Sequence, residues 1–579
     1  SFDQEHAWCP TVLNNGRILY LRWEYADLPH ANSRILFHCN PDGTSQMEYY
    51  GSNSYWPNGV FYARPIPGLA SQVVGIVSGH HGVRRMGELV VFDPARGRRE
   101  ASGVVQRIPG FGQPVEAICA DRLADKSWPH FMHPFPLGRE DGRGSGKYFL
   151  VSAQPSSKHK WGVYLADSFD NMTLLAQQPG MAMLEPIPLR KTSAPPVIPE
   201  RIDLKRKDGL VYLSDIYRGG GLKGIPRGAV KSLRLFTYTY GYRGFGGLYG
   251  SIGMDGPWDC RRILGTVPVE SDGSAFFRVP ANVPVAVQPL DKEGKAVQLM
   301  RSWFTAMPGE TISCVGCHEA QNNTPPAKLT LAARKAPTDL SDWRGKTRNF
   351  GFAREVQPVL DRNCIRCHND TTTFRGKPVF SLLNEPMKTK WTSKMSGHVN
   401  GRDGGKFSEA YRNLHRYVRH PGIESDMHML APMEFHADST ELVQILRKGH
   451  FGVKLSAEDW DRLVAWIDMN TPFHGEWSGI VGEKAKTAEG VRADMRKRYA
   501  NVEENHEEIP AVASAPAVTP LAIVPEPKPG PTVAAPPVTA HKPRREELDL
   551  GGGIRVGMVH VPKGAFVMGS ATGHPDERP

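Results

Sequence analysis

Residues 356–368, VQPVLDRNCIRCH, run from a helix-forming stretch into two cysteines separated by two residues, with a histidine directly after the second. The stretch reads as a helix that delivers Cys364 to a binding site. Cys364-Ile365-Arg366-Cys367-His368 matches C-x-x-C-H, the attachment signature of c-type haem. The spacing has a chemical reason: the two thiols reach the two vinyl groups of one porphyrin, and the next imidazole reaches its iron from the same side. Axial ligands and pocket polarity then tune the iron.

A second copy lies upstream in SCVGCHEAQNN, residues 313–323, as Cys314-Val315-Gly316-Cys317-His318. Two cysteine pairs could instead make one zinc site. However, 46 residues separate Cys317 from Cys364, against about 12–20 in such sites, and zinc needs no histidine after both pairs. Two covalent c-type haems are therefore expected, with Cys314, Cys317, Cys364 and Cys367 as thioether positions.

Downstream of the second motif, STELVQILRKGH (439–450) predicts a helix from cap Ser439 to Gly449, with Leu442, Ile445 and Leu446 on one face. SAEDWDRLVAWIDMN (456–470) predicts another, capped by Ser456, with Trp460, Leu463, Val464 and Ile467 at i, i+3, i+4, i+7. These make a small α domain in which the later helix covers the haem. His368 is the proximal ligand. The distal candidates are His398, His415, His420, Met427, His428, Met429, Met433, His436 and His450. His450 follows Gly449 and lies four residues after Leu446, so it projects on the apolar side; His428 and His436 are the next choices. A bis-histidine haem is saturated and carries electrons.

The first motif has no neighbouring helix. After His318 the next histidine is His368, so either a residue from the N-terminal region supplies a distal ligand or the sixth position is open. The suggestive segment is SGHHGVRRMGEL (78–89), with His80, His81, Arg84 and Arg85; a solvated loop is the plain alternative.

The remaining chain is mainly β. RILYLRWEY (17–25) and RILFHCNPDGTSQMEYYG (34–51) place aromatic-rich strands around Asn40-Pro41-Asp42-Gly43, and GELVVFDPARGRRE and WGVYLADSFDNMTLLA repeat the strand–turn–strand theme. Loosely repeated hairpins suggest propeller blades. From about residue 260, short strands with Asp-Gly and Glu-Gly turns suit a small sandwich. Residues 509–543 hold ten prolines and read as a linker. The expected order is a β-propeller-like domain (1–250), a β-sandwich-like domain with the first haem (251–345), and a cytochrome c-like α domain with the second (346–480). A helical tail and Pro/Ala-rich linker (481–550) and the start of a further α/β domain (551–579) follow.

The 579 residues carry 71 basic against 60 acidic groups, a net charge of +11, with no basic block that points to nucleic acid. No apolar run reaches the roughly 18–20 residues a membrane span needs. The chain starts without methionine or signal peptide and reads as a piece of a longer precursor. Cys9, Cys39, Cys119 and Cys260 are scattered, and whether they are buried thiols, disulfide partners or metal ligands stays open.

The ordered segments DGSAFFRVPANVPVAVQPLD, MPGETISCVGCHE, VQPVLDRNCIRCH and LRKGHFGVKLSAEDWDRLVAWIDMN together resemble the hydrazine synthase alpha subunit family. The resemblance covers about residues 1–480 and is most specific over 250–320 and 353–475. It implies an N-terminal propeller, a middle domain with an active-site haem, and a C-terminal domain whose haem takes His368 and His450. In that family the first motif's histidine turns to zinc, and a tyrosine four residues later binds the iron. Here position 322 is Asn and no tyrosine stands nearby, so His318 is assigned to iron, with zinc as the alternative, and hydrazine synthesis itself is not expected. The end, MVHVPKGAFVMGSATGHPDERP, resembles the opening of a formylglycine-generating enzyme (sulfatase-modifying factor) domain, whose active-site cysteines would lie beyond Pro579. The expectation is a periplasmic or secreted di-haem oxidoreductase. Its first haem meets a small substrate, its second is the relay, and a redox protein is its partner. A non-catalytic electron-transfer, sensory or scaffold protein is the alternative.

Overall fold

The computed structural model describes residues 7–24, 26–29, 34–80, 85–118, 121–138, 145–192, 194–242, 250–319, 327–388, 391, 407–422, 425–508, 519–524, 544–549 and 555–560. The chain divides into two compact units, 1–524 and 525–579.

The first unit begins with β1 (Ala7–Val12), β2 (Ile18–Trp23), β3 (Arg34–Cys39), β4 (Met47–Tyr50), β5 (Gly59–Pro65), β6 (Val73–Ser78), β7 (Glu88–Phe92) and β8 (Val104–Ile108). They form one sheet, but β3 and β5 meet only through a parallel pairing of Arg34 with Gly59. It is in effect two four-stranded antiparallel meanders. A third follows: β9 (His130–Leu137), β10 (Tyr148–Gln154), β11 (Gly162–Asp167) and β12 (Met172–Ala176). The Asn40–Gly43 turn joins β3 to β4 as the sequence suggests, closed by Asn40 N donating to Thr44 O at 2.9 Å. Leu19, Val74, Ile76, Phe92 and Phe149 share one buried core. No closed ring of blades is found among the described residues, so the propeller expectation is met only in its strand content.

Two further sheets carry the middle of the chain. One orders β16 (Ala275–Pro280), β13 (Asp208–Leu213) and β19 (Thr311–Cys314). The other orders β15 (Cys260–Pro268), β14 (Ser232–Thr239), β17 (Pro284–Leu290) and β18 (Phe304–Thr305). Val211, Leu213 and Phe277 from the first pack with Leu233, Leu235 and Val285 from the second. These sheets draw in strands from residues 208–239, which the boundary at 250/251 assigns to the first domain. A sequence boundary followed turn texture, whereas the strand ladder is set by long-range pairing.

The second motif stands among helices: α1 (Phe352–Glu355), α2 (Gln357–Asn363), α3 (Glu409–His415), α4 (Glu441–Gly449) and α5 (Ala457–Asp468). A two-stranded hairpin, β20 (Thr373–Phe374) with β21 (Lys377–Pro378), follows α2. Ser456 caps α5 as expected, its Oγ accepting from Asp459 N at 3.1 Å. The cap of α4 is Thr440, not Ser439, because Ala437–Ser439 turns as a 3₁₀ segment first. The tail expected to be helical forms α6 (Ser478–Val481) and α7 (Glu483–Ala500). In the second unit only a hairpin is described, β22 (Arg544–Asp549) with β23 (Arg555–His560); residues 561–579, most of the stretch expected to open a formylglycine-generating-type domain, lie outside the described residues. The molecule is thus multidomain and mostly β with few helices. Among the described residues no helix is long and apolar enough to cross a membrane.

The helical part is tied to the sandwich by buried charge. Arg234 on β14 donates to Asp468 Oδ2 at the end of α5 (2.8 Å), to Gln288 Oε1 (2.9 Å) and to Gly294 O (3.0 Å). Both ionic side chains are essentially inaccessible, at 1% and 0%. Removing one partner strands the other in a low dielectric, at a cost of about 3–5 kcal/mol. Arg234→Ala is therefore expected to lower unfolding stability by about that amount, read as a reduced urea midpoint. A midpoint shift equivalent to under about 1 kcal/mol would show that the pair is not the tie.

Candidate functional sites at the two cysteine pairs

The second motif builds a cavity of about 300 Å³. Cys364 and Cys367 line it at the end of α2, with Leu360, Leu382, Leu414, Leu446 and Leu463 among its walls. His368 and His450 both line it, their ring centroids 5.8 Å apart and planes 25° from parallel. That separation lies within the range of an offset ring pair. It suits one metal atom between two imidazoles, given metal–nitrogen bonds of about 2 Å each. His368 donates from Nδ1 to Phe380 O at 3.1 Å, which sets the tautomer and leaves the Nε2 lone pair for a metal. Burial holds both histidines below the usual imidazole pKa, so both are neutral donors. Gly449, at φ +98°, ends α4 in a left-handed turn that directs His450 inward. Donors, thiols and apolar walls fit a bis-histidine c-type haem.

Of the other distal candidates, neither His428 nor His436 lines this cavity. His436 is buried against Asp291, Nε2 to Oδ2 3.2 Å, and His428 stands beside Glu100. His415 and His420 pack on each other at 4.7 Å, and His398 lies outside the described residues.

One edge of the cavity is closed from an unexpected quarter. Residues 519–524, inside the stretch expected to be a linker, lie along the second motif, joined just beyond it by an isolated β-bridge between Ile523 and Thr373. Leu521 N donates to Arg366 O (2.8 Å), Thr373 N to Ala522 O (3.1 Å) and Val524 N to Thr373 O (3.0 Å). Val524 is only 6% exposed and lines the cavity. Leu-Ala-Ile-Val interrupts the proline run with residues that suit a sheet edge.

The first motif is held by strands instead. β19 runs parallel to β13, with Leu213 opposite Cys314. The turn beyond is laced to residues 214–221: Ser214 N to Cys314 O (2.9 Å), Asp215 N to Val315 O (3.1 Å), Cys317 N to Ile216 O (3.2 Å) and Gly221 N to Cys317 O (3.0 Å). Arg218-Gly219-Gly220-Gly221 forms the cradle. A Cβ on Gly221 would stand 2.4 Å from Cys317 Sγ, and one on Gly219 2.5 Å from Cys317 O. Burial pushes the Cys314 and Cys317 thiols up to about 12, so both stay protonated. Three consecutive glycines were the available sequence signal, but they sit far upstream of the motif and only the β13–β19 pairing connects them.

His318 is exposed, with a left-handed backbone (φ +56°), and its Nε2 accepts from the Asn53 side-chain amide. Iron ligation through Nε2 therefore requires the ring to leave Asn53. No group of three or more His, Cys, Asp or Glu side chains suited to a metal ion is found among the described residues, so the zinc alternative gains no donor set. Asn322 lies outside the described residues. Among the described residues, the N-terminal segment that meets this motif is the Asn53 loop. His80 packs edge-on to Trp23 and Arg85 over Trp8, while His81 and Arg84 lie outside the described residues. Cys9, Cys39 and Cys260 are free thiols, and Cys119 lies outside the described residues.

Residues 228–319 match the hydrazine synthase alpha subunit middle domain. The match ends just past the first cysteine pair and spans β14 to β19. Hydrazine synthase subunit alpha of Kuenenia stuttgartiensis is 22% identical over 331 residues, which is 45% of this chain and 40% of that protein. The alignment thus spans under half the length of this curated relative. A solved structure of Kuenenia stuttgartiensis hydrazine synthase superposes with a TM-score of 0.55 at 16% identity, covering 82% of this chain and 70% of that one. At that identity the superposition speaks for a shared fold. Together these comparisons support a hydrazine synthase alpha-subunit-like family.

Two outcomes are expected from this geometry. Gly221→Ala forces Cβ into Cys317 Sγ, and overpacking of this kind costs about 1–3 kcal/mol. Against the two haems per chain that the motifs lead one to expect, content by pyridine haemochromogen assay should fall toward one, and a content equal to the wild type's would show the cradle is not needed. Truncation after residue 518 removes Val524 from the cavity edge. Water reaching the site favours the oxidised, charged state, so the second haem's midpoint potential should fall in a redox titration.

Proposed function

We propose that this chain is an extracytoplasmic di-haem oxidoreductase in which the two cysteine pairs do different work. The observation that carries the reading is the His368–His450 pair, 5.8 Å apart across an apolar cavity whose wall includes Cys364 and Cys367. When bound there, a haem supplies one-electron chemistry, and saturation by two imidazoles confines it to electron transfer. The chain's own part is to keep both imidazoles neutral, fix His368 through the Phe380 carbonyl and exclude water with leucines and Val524.

The first pair is the candidate substrate site. Cys314, Cys317 and the 218–221 cradle hold the group, and His318 or a ligand outside the described residues completes one side. Among the described residues, no helix closes over it as α5 closes over the second site. Instead it faces two loops, 51–56 and 425–430, which leave polar groups beside it. A small molecule exchanging electrons with the first haem, the second haem as relay, and a redox protein as the external partner make up the proposed cycle. Covalent haem attachment takes place outside the cytoplasm, which favours the periplasm or the exterior. The Kuenenia relative is a hydrazine synthase subunit. Asn322, where the family resemblance calls for tyrosine, argues that the reaction here is a different one on a small substrate.

Optical spectra of the reduced, haem-loaded protein test this. Carbon monoxide should shift about half of the haem absorbance. His450→Ala should make the remainder responsive as well, because it frees an axial position at the second site. A wild type in which neither haem responds would favour the alternative of a saturated electron carrier.

A further inference from the structure

We propose that His428, held between Asp426 and Glu100, is the proton-transfer group of the first site, serving a small neutral protic ligand that must lose its proton on binding. This rests on the open first site proposed above and deepens it.

Segment 425–430 is brought to the first motif by dedicated contacts. Gln298 donates from Nε2 both to Gly221 O in the cradle (2.9 Å) and to Leu430 O (2.8 Å). A Cβ on Gly220, whose N donates to His318 O, would stand 2.7 Å from the Met429 methyl. Buried Arg301 donates to the carbonyls of Asp426, Met427 and His428, which fixes the backbone that carries His428. The same segment meets the loop of Asn53, the residue that touches His318. Two residues on, the Tyr55 hydroxyl accepts from Met427 N at 3.1 Å, and its ring meets His428 edge-on at 5.0 Å.

Within this frame both ring nitrogens face a carboxylate. His428 Nδ1 lies 3.0 Å from Asp426 Oδ1 and Nε2 3.4 Å from Glu100 Oε1. Nδ1–H donates to Asp426, so the tautomer leaves Nε2 as the base. A ligand proton moves to Nε2, the ligand anion remains, no electron changes hands, and the ring that has taken up the proton lies between Glu100 and Asp426. Half the ring is exposed, 52% of the side chain, so the proton can pass on to water. Both carboxylates are held in place for this. Glu100 accepts from Tyr55 N (2.9 Å) and Trp56 N (3.0 Å), and Asp426 from His428 N (2.9 Å). The hydrogen bonds of His428 and Tyr55 keep the Asp426 carboxyl below its usual pKa, so it stays ionised. The other charges nearby are Arg301, committed to backbone carbonyls, and Arg99, which faces His318.

Hydrogen cyanide is the probe, because it binds ferric haem as the anion and its deprotonation needs a nearby base. Stopped-flow association with the ferric, haem-loaded full chain is compared across pH for wild type, His428→Gln and Asp426→Asn. General-base assistance contributes about 10²–10⁴-fold. His428→Gln should therefore slow association by at least tenfold and lose the acid limb of the pH profile, with haem content and circular dichroism unchanged. Asp426→Asn should show a smaller slowing with the limb retained but displaced. Wild-type rates and profile in His428→Gln would overturn the assignment. A wild type that takes up no cyanide would instead overturn the open-site reading beneath it. Should His428→Gln fold poorly, Asp426→Asn decides by the same criteria, and an undisplaced limb overturns the proposal.

Discussion

A single buried guanidinium organises the first unit. Arg234 sits in the centre of β14 with 1% of its side chain accessible, and Asp468, Gln288 and Gly294 surround it with acceptors. Asp468 belongs to the last turn of α5 and also accepts from Ala296 N, in the hairpin beyond β17. Moving α5 away would leave two unpaired charges in a desolvated space, so the helical part is held on the sandwich. Arg261 donating to Met469 O and Gln288 donating to Asp468 O reinforce the same attachment, around a core shared by Phe236, Ile263 and Trp466. The 425–438 loop, which meets the first motif at Met429 and caps the approach to α4 at its other end, can span both sites only while they stay in register.

The two motifs share five-residue chemistry but differ in what presents it. At the second, α2 delivers the cysteines, α4 ends in a left-handed glycine that delivers His450, and α5 packs alongside. Helix termini and amphipathic faces are local devices, and an apolar enclosure with two neutral imidazoles results. At the first, a parallel strand pair and a triple-glycine turn present the cysteines, and the surroundings come from loops of distant origin. Polar groups such as Tyr55, Glu100, Asp426 and His428 gather there. An apolar cavity with two facing imidazoles and another cysteine pair beside polar loops make the division that the proposed electron relay and substrate chemistry would use.

Much of the second site was legible in the sequence. C-x-x-C-H, the Ser456 cap, the apolar spacing in 456–469 and the Gly449-His450 step are short-range patterns whose physics is complete within a few turns of chain. Errors were small where local rules competed, as when Thr440 rather than Ser439 took the cap because a 3₁₀ turn came first. The strand content of the first 180 residues was readable too, as was the Asn40–Gly43 hairpin. What periodicity could not supply was partnership. Strands at 208–213 and 232–239 belong with strands after residue 260, and an apolar tetrapeptide in a proline-rich run closes the second cavity.

By itself, the sequence supplied the two cysteine–histidine motifs, the helices around the second and His450 as the preferred one of several candidates to face His368. All of these follow from covalent spacing and helical geometry. Only the tertiary structure decided that Gly219–Gly221 cradle the first motif, that Asn53 takes up His318, and that His428 stands with Glu100 rather than with the second cavity. Those outcomes depend on which backbone edges pair and which charges must be buried together. Such choices are made by contacts between residues tens to hundreds of positions apart, and no local pattern encodes them.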